Sequence, residues 1–440
     1  MRPLYFLLKF LLKFTLWVYY PRLININKPK KRFARTIFAS NHPASFMDPL
    51  VIASSQKPIV FFMTRSDVFT ALLKPILWAS HMLPIYRQHD GEDTKAKNEA
   101  VFRKCYKILR WGRNLLMFAE GFTDDVFIRR LKPVKKGAVR IGFGALQADN
   151  WEHPVYIQAV GINYSDPNMV GSDVVVSNSE PICLNDYREE FEENEVRTIV
   201  KLSSEVEQRM RDQIVDVRDK KMAPVHEMVL RFTRKGMNAV DTDKGIPLIE
   251  RWKYAKRLAQ WFNEMNEEQK SKIHDLQSLM VTYFDKQKEL GIEENDFYHV
   301  NKNSWNRTID LIFLVCLFPV MFIGTFFNVI PYLFIKRFVE KSFKRSVFWG
   351  SVKMLLGLVA AGLYNLITLF VGVFFIYHSW PLWLFVYFIV IPLSGVIAYN
   401  WFKRLKRVNH RSSMFTKDLG DLGAQREKII QEIGNIIPVA

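Results

Sequence analysis

Three long apolar segments near the carboxyl end constrain this chain more than any other feature. Residues 311–335, 354–377 and 380–402 carry no formal charge over 25, 24 and 23 residues. A helix needs about 20 apolar residues to cross the hydrocarbon core of a bilayer. The sequence therefore predicts an α-helical membrane domain at residues 307–405, followed by a basic tail at 406–440.

The first of these segments differs from the other two, because Pro319, Gly324, Asn328 and Pro331 interrupt its helical pattern. Two basic clusters flank the segments: Lys336, Arg337, Lys341, Lys344 and Arg345, then Lys403, Arg404, Lys406, Arg407 and Arg411. The positive-inside rule places both clusters in the cytoplasm. We therefore expect a re-entrant hairpin at 311–335, two crossings at 354–377 and 380–402, and residues 1–306 on the cytoplasmic face. The alternative is three ordinary crossings with an exceptional charge distribution.

Outside these segments the chain is polar and strongly basic, with 62 Lys and Arg against 44 Asp and Glu and a net charge of +18. No zinc-finger, basic-zipper or RNA-recognition pattern is present, so a nucleic-acid partner is not expected. The charge suits membrane lipids with anionic headgroups, or a polyanionic substrate such as a phosphate ester. The three cysteines have irregular spacing, which predicts neither a disulfide framework nor a metal site.

The remaining residues divide into three predicted regions. Residues 1–32 read as an interfacial or anchor helix, because Lys9 and Lys13 interrupt an apolar run and lie on one helical face. Residues 33–187 alternate strand-like and helix-like segments, which predicts an α/β domain with a mixed sheet flanked by helices. Residues 188–306 are rich in charged residues with helical periodicity, which predicts a helical subdomain inserted before the membrane domain.

His42 and Asp48 are the first candidate catalytic residues. They follow a strand-like segment and precede a helix-like one, so they occupy the carboxyl end of a strand, where open α/β sheets bind ligands. A histidine backed by a carboxylate can deprotonate an alcohol. We expect His42 on an irregular turn, with Asp48 reaching back from the helix to its imidazole. The alternative is that Asp48 caps a helix whose first turn holds Pro49.

A second candidate site begins at Glu120, Gly121 and Thr123, again after a strand-like segment. A carboxylate followed by glycine can bind hydroxyl groups while the backbone approaches a ligand closely. Downstream lies a basic run, and residue 137 then opens a helix, an arrangement that suits a phosphate. The run consists of Arg129, Arg130, Lys132, Lys135 and Lys136. Arg87 also follows an apolar strand and could bind a phosphate, although a solvated charged face would have the same pattern.

In order, these blocks resemble the glycerolipid acyltransferases that act on glycerol 3-phosphate and lysophosphatidate. Asn41-His42 with Asp48 is similar to the catalytic block of that family, and residues 83–87, 118–123 and 155–160 are similar to its later blocks. Five residues separate His42 from Asp48 where most members have four. Ala119 and Phe122-Thr123 replace a usual proline and arginine. Both departures resemble the branch that contains the fungal glycerol-3-phosphate and dihydroxyacetone-phosphate acyltransferases.

The resemblance implies the glycerolipid acyltransferase fold and a role for each candidate residue. His42 is then the general base on an acceptor hydroxyl, Asp48 orients it, and Glu120, Gly121 and Thr123 hold the acceptor. Its phosphate is bound by Arg87 and by the basic run, of which the candidate ligands are Arg129, Arg130, Lys135 and Lys136. The acyl donor is a thioester of coenzyme A or acyl carrier protein, with no other cofactor and no metal.

The function expected from the resemblance is acylation of glycerol 3-phosphate in phospholipid biosynthesis by an integral membrane enzyme. One alternative is acylation of 1-acylglycerol 3-phosphate or another lysolipid. A second, from a different class, is a non-enzymatic membrane scaffold that binds anionic lipids.

Overall fold

The computed structural model describes residues 2–31, 33–55, 60–71, 74–86 and 94–438. The chain forms two compact units, residues 1–223 and 224–440. The predicted helical subdomain at 188–306 is therefore shared between them, and its proposed boundaries stay a prediction.

The first unit contains a sheet and seven described α-helices. Its strands are β1 (Arg22–Ile26), β2 (Thr36–Ser40), β3 (Val60–Arg65), β4 (Met82–Ile85), β5 (Asn114–Phe118), β6 (Tyr156–Tyr164), β7 (Asp173–Asn178) and β8 (Ile182–Cys183). Its helices are α1 (Arg2–Tyr19), α2 (Met47–Ser55), α3 (Lys74–Ala79), α4 (Thr94–Arg110), α5 (Gly137–Ala148), α6 (Arg188–Glu193) and α7 (Glu195–Arg211).

The eight described strands form one sheet in the order β1-β7-β6-β2-β5-β3-β4, with β8 paired to β6. The strands from β6 through β4 are parallel, whereas β7 and β8 run antiparallel to β6. The predicted mixed α/β sheet is confirmed. Strand β1, which pairs with β7 in parallel, was not predicted, because its five residues follow the anchor helix without a marked polar alternation.

The core of the first unit lies at the middle of this sheet. Every residue of β2 is buried, since helices cover the central strands of a parallel sheet on both faces. Ile37 of β2 and Leu115 of β5 belong to one apolar cluster with Ile141 of α5 and Leu202 of α7. The carboxyl ends of β2 and β5 therefore leave a rigid core side by side.

The described secondary structure of the second unit is entirely helical. Its helices are α8 (Ala223–Thr233), α9 (Leu248–Glu264), α10 (Glu267–Glu289), α11 (Glu294–Asn301), α12 (Arg307–Cys316), α13 (Phe318–Gly324), α14 (Ile330–Ser342), α15 (Trp349–Val371), α16 (Trp380–Phe385), α17 (Ile391–Ser413) and α18 (Leu422–Ile436). Three helical stretches, Phe318–Ser342, Ser346–Ile376 and Trp380–Thr416, are long and apolar enough to cross a membrane.

Each of these stretches contains one π-helical turn, at Thr325–Val329, Gly372–Ile376 and Val386–Val390. In the first stretch the backbone stays helical through the turn, and Pro331 follows two residues after its end. Proline and π turns are the usual points at which a long helix bends. The predicted hairpin at 311–335 stays a prediction, and its turning point would be this segment.

Candidate active site

The pairing of β2 with β5 brings the two candidate blocks together. Ser40 lies opposite Phe118 in this parallel pair, and the N–H of Ala119 donates to the Ser40 carbonyl at 3.2 Å. His42 and Glu120 each come two residues after these register partners. Both side chains therefore start from the same edge of the sheet.

His42 and Asp48 form a direct pair. His42 precedes α2, and Asp48, in the first turn of α2, places Oδ2 2.8 Å from His42 Nδ1. The same oxygen accepts the Ala44 N–H at 2.9 Å. Ser45 between them has a φ of +53°, so the connection is an irregular turn, as the sequence predicts. Asp48 caps this turn and also orients the imidazole.

The His42 ring is held by a stacking contact on its face in addition to the hydrogen bond at Nδ1. It stacks on Phe118, with the ring centroids 4.0 Å apart and the planes 14° from parallel. The side chain is 20% exposed, whereas Asp48 is fully buried. When Nδ1 donates to Asp48, Nε2 carries the lone pair, and no described residue bonds to it. This nitrogen can therefore accept a proton from a ligand.

Tyr164, a residue that the sequence analysis did not single out, completes the environment of Asp48. It ends β6, and its hydroxyl donates to Asp48 Oδ1 at 2.9 Å. Burial and the nearby carboxylate raise the pKa of Tyr164 well above its ordinary value, so the hydroxyl stays a donor. The block 155–160 in the sequence ends four residues before it, and only the full length of the strand brings it to Asp48.

Glu120 forms a buried ion pair with Lys132, the member of the basic run that was not named as a candidate phosphate ligand. Lys132 Nζ lies 2.6 Å from Glu120 Oε2, and the two side chains are 3% and 1% exposed. Burial raises the pKa of Glu120, while the charges of Lys132 and then His42 oppose that shift. Glu120 Oε1 accepts no hydrogen bond from the described residues. This buried oxygen therefore keeps acceptor capacity that the described residues do not use.

The basic run divides into buried and exposed members. Arg129 is buried, and its guanidinium donates to the carbonyl oxygens of Tyr164 at 2.6 Å and Ser165 at 3.1 Å. Arg130 pairs with Asp124 at 2.9 Å. Arg129 in particular holds the end of β6 in place and is not open to a substrate phosphate.

Lys135 and Lys136 are the exposed members of the run. The Lys135 side chain covers Gly121, since a Cβ built on that glycine would lie 2.7 Å from Lys135 Nζ. Gly121 has a φ of +75°, so both its backbone and its surroundings favour glycine. No carboxylate among the described residues pairs with Lys135, and Lys136 lies directly before α5. Thr123 is half-buried in the same loop, and Arg87 lies outside the described residues.

This geometry combines a base, a buried carboxylate acceptor and an unpaired ammonium group on one edge of a sheet. Residues 24–163 match the family model described as Acyltransferase. This acyltransferase domain spans just under a third of the chain and contains His42, Asp48, Glu120 and Lys132. The match supports the resemblance to glycerolipid acyltransferases. No curated protein matches the chain.

Proposed function

We propose that this protein transfers a fatty acyl group from an acyl thioester to a hydroxyl of glycerol 3-phosphate. The observation that carries the proposal is the His42–Asp48 pair at 2.8 Å, in which Nε2 has no described partner. The acyltransferase domain at residues 24–163 gives independent support. Three membrane-length helices suit an enzyme whose product is a lipid.

In the proposed reaction, His42 Nε2 takes the proton of the acceptor hydroxyl as its oxygen attacks the thioester carbon. The carbon–sulfur bond breaks, the ester remains on the acceptor, and the thiolate leaves and takes up a proton. Asp48 holds the imidazole in the tautomer with Nδ1 protonated and stabilises its cation, as carboxylates do in hydrolase triads. No covalent acyl-enzyme is needed, because the acceptor itself is the nucleophile.

Lys135 and Lys136 are the residues that we assign to the acceptor phosphate. Their exposure and their lack of a described carboxylate partner support this assignment, whereas Arg129 and Arg130 already bind protein groups. Glu120 would accept a hydrogen bond from a glycerol hydroxyl through Oε1. Arg87 remains a predicted phosphate ligand.

The first test is acyl transfer by membranes that contain the protein. Glycerol 3-phosphate, dihydroxyacetone phosphate and lysophosphatidate are offered in turn, each with acyl-coenzyme A and with acyl carrier protein as donor carrier. We expect glycerol 3-phosphate to be acylated and His42→Ala to remove the activity. His153→Ala is the matched control, because His153 Nδ1 also pairs with an aspartate, Asp149, at 2.7 Å but outside the site.

Two outcomes would replace the proposal. Activity only on lysophosphatidate or another lysolipid would make the protein a lysolipid acyltransferase with the same base. Unchanged lipid binding with no transfer to any acceptor would favour the non-enzymatic scaffold.

The variant Lys135→Gln tests the phosphate assignment. We expect it to raise the KM for the phosphorylated acceptor about tenfold, which corresponds to a loss of roughly 1.4 kcal/mol of binding free energy. The KM for the donor should stay unchanged.

We also propose that the acyltransferase domain faces the cytoplasm and that the second unit crosses the membrane twice. Arg426 of α18 and Glu294 of α11 form an ion pair at 2.8 Å with both side chains fully buried. Arg411 pairs with Asp296 at 2.8 Å in the same manner. The segments before and after the three apolar stretches thus pack together, which supports a position on the same side of the membrane and an even number of crossings.

The contacts between the apolar stretches support the proposal that the first stretch, Phe318–Ser342, does not cross the membrane. In α12, just before this stretch, Asp310 lies 2.8 Å from Arg407, and at the middle of the stretch Asn328 donates to the Ile391 carbonyl at 2.9 Å. The α12–α13 segment therefore runs alongside α17.

Beyond the π turn the partner changes to α15. Glu340 lies 3.2 Å from Lys353 near the start of α15, whereas Phe370 near its end makes an edge-to-face contact with Trp380. Residues 340 and 310 thus both lie away from the turn at 378–379, the expected external loop. This arrangement supports a first stretch that returns to the side it left, and it leaves both basic clusters in the cytoplasm.

Topology can be tested with single cysteines at Asn303 and at Asp421 in sealed cells. We expect neither to react with an impermeant thiol reagent from outside, whereas a cysteine at Ser379 should react. External labelling of Asn303→Cys would place the first unit outside and contradict the proposal.

A further inference from the structure

We propose that Tyr164 is a positioning residue that sets the orientation of Asp48, and through it the imidazole of His42. The inference rests on the proposed function for its kinetic test but not for its spectroscopic one. It concerns a hydroxyl that has no contact with a substrate and acts only through the carboxylate.

The hydrogen bonds around Asp48 carry the argument. Oδ2 already receives two donors, His42 Nδ1 at 2.8 Å and the Ala44 N–H at 2.9 Å. Oδ1 receives one, the hydroxyl of Tyr164 at 2.9 Å. A carboxylate has two equivalent oxygens, so only their surroundings distinguish them. With Tyr164 on Oδ1, rotation of the carboxylate would break three hydrogen bonds in a fully buried place.

Tyr164 is itself held from three sides, which makes it a fixed reference. Its backbone carbonyl accepts from Arg129 at 2.6 Å. Its ring packs against Tyr20, with the centroids 5.6 Å apart, and meets the edge of Phe127 at 6.4 Å. Arg129, expected from the sequence to bind phosphate, thus helps to position the residue that orients Asp48.

The matched pair for the test is Tyr164→Phe and Tyr20→Phe. Both tyrosines are fully buried, and each variant keeps its ring and loses one hydrogen bond. The Tyr20 hydroxyl donates to the Pro167 carbonyl at 2.8 Å, whereas only that of Tyr164 reaches Asp48. A purely structural effect of losing a buried hydroxyl would appear in both variants.

We expect Tyr164→Phe to lower kcat about tenfold with little change in either KM, since a misdirected base affects the transition state more than substrate binding. Tyr20→Phe should leave kcat within about twofold of the wild type. In an Asp48→Asn background, Tyr164→Phe should cause no further loss, because residues that act as one unit are not additive. A raised KM with unchanged kcat would overturn the inference.

The second readout is the far-downfield proton resonance of the hydrogen-bonded His42 Nδ1–H, recorded on the full chain in detergent. It needs no substrate, so it tests the positioning role even if no acceptor is acylated. His42→Ala identifies the resonance. We expect it to shift in Tyr164→Phe and to stay in place in Tyr20→Phe. An unchanged resonance in Tyr164→Phe, or unfolding of that variant alone, would assign the hydroxyl a structural role and overturn the proposal.

Discussion

Replacing Lys132 by methionine should destabilise the first unit in a way that depends strongly on pH. Lys132 is the partner of Glu120 in a pair whose side chains are almost fully buried. Methionine has a similar length and no charge, so the variant leaves Glu120 without its counter-ion in a dry environment. Removing one partner of a buried pair typically costs about 3–5 kcal/mol.

Glu120 can avoid part of that cost by taking up a proton, and the free energy of this protonation sets the size of the destabilisation. Protonating a carboxyl with an unfolded pKa of about 4.3 costs about 1.36 kcal/mol per pH unit above that value, hence about 3.7 kcal/mol at pH 7 and about 1 kcal/mol at pH 5. The folded pKa of Glu120, already raised by burial, rises further in the variant. Because this folded pKa lies above the unfolded pKa, the destabilisation is largest at neutral pH and disappears as the pH falls toward the unfolded pKa.

Thermal unfolding of the full chain in detergent at pH 7 and pH 5 measures this difference. We expect the transition of the first unit to fall by about 10 °C at pH 7 and by about 3 °C at pH 5, at about 2–4 °C per kcal/mol for a unit of this size. Lys136→Met, at an exposed lysine of the same run, should leave the unfolding temperature unchanged at both pH values. Lys132→Met with Glu120→Gln should recover most of the loss at pH 7. An equal loss at both pH values would refute the reasoning.

Three further outcomes are expected. Gly121→Ala and Gly112→Ala each place a side chain at a positive φ, +75° and +70°, and should each lower the free energy of unfolding by about 1–2 kcal/mol. Only Gly121→Ala should also raise the KM for a phosphorylated acceptor, because nothing lies within 4 Å of a Cβ at Gly112. Equal KM values in the two variants would contradict this crowding argument. Burial raises the pKa of Cys105 to about 12, so about 10⁻⁴ of it is thiolate at pH 8; mass spectrometry should find no alkylation of this thiol before denaturation. Asn41→Ala removes both side-chain hydrogen bonds to the backbone of Ile162 and should lower stability by about 1–3 kcal/mol, whereas an unchanged unfolding temperature would mean that water replaces them.

The local sequence predicts the candidate catalytic pair. His42 and Asp48 are close in the chain, and Pro49 lies next to Asp48 in the first turn of α2, so their contact depends mainly on one turn. The predicted alternation also follows from local pattern, since strands β2 to β6 alternate with helices α2 to α5 within residues 33–187. Short-range periodicity is sufficient for these features because backbone hydrogen bonding and side-chain alternation are local properties.

The partners of the pair could not be read from the sequence, because they depend on contacts between distant residues. Tyr164 reaches Asp48 across 116 positions, and this contact exists only because β6 lies next to β2 in the sheet. The basic run shows the same limit: its members look alike in the sequence, yet burial makes Lys132 the partner of Glu120 and leaves Lys135 exposed.

The sequence by itself determined that this chain has an α/β domain with a histidine–aspartate pair at a strand end and three apolar stretches of membrane length. These properties follow from residue type and spacing. Only the tertiary structure decided which charges are neutralised, because neutralisation depends on distance and burial rather than on order in the chain. It likewise brought Arg426 to Glu294 across 132 positions, and that contact limits how the apolar stretches between them can cross a membrane.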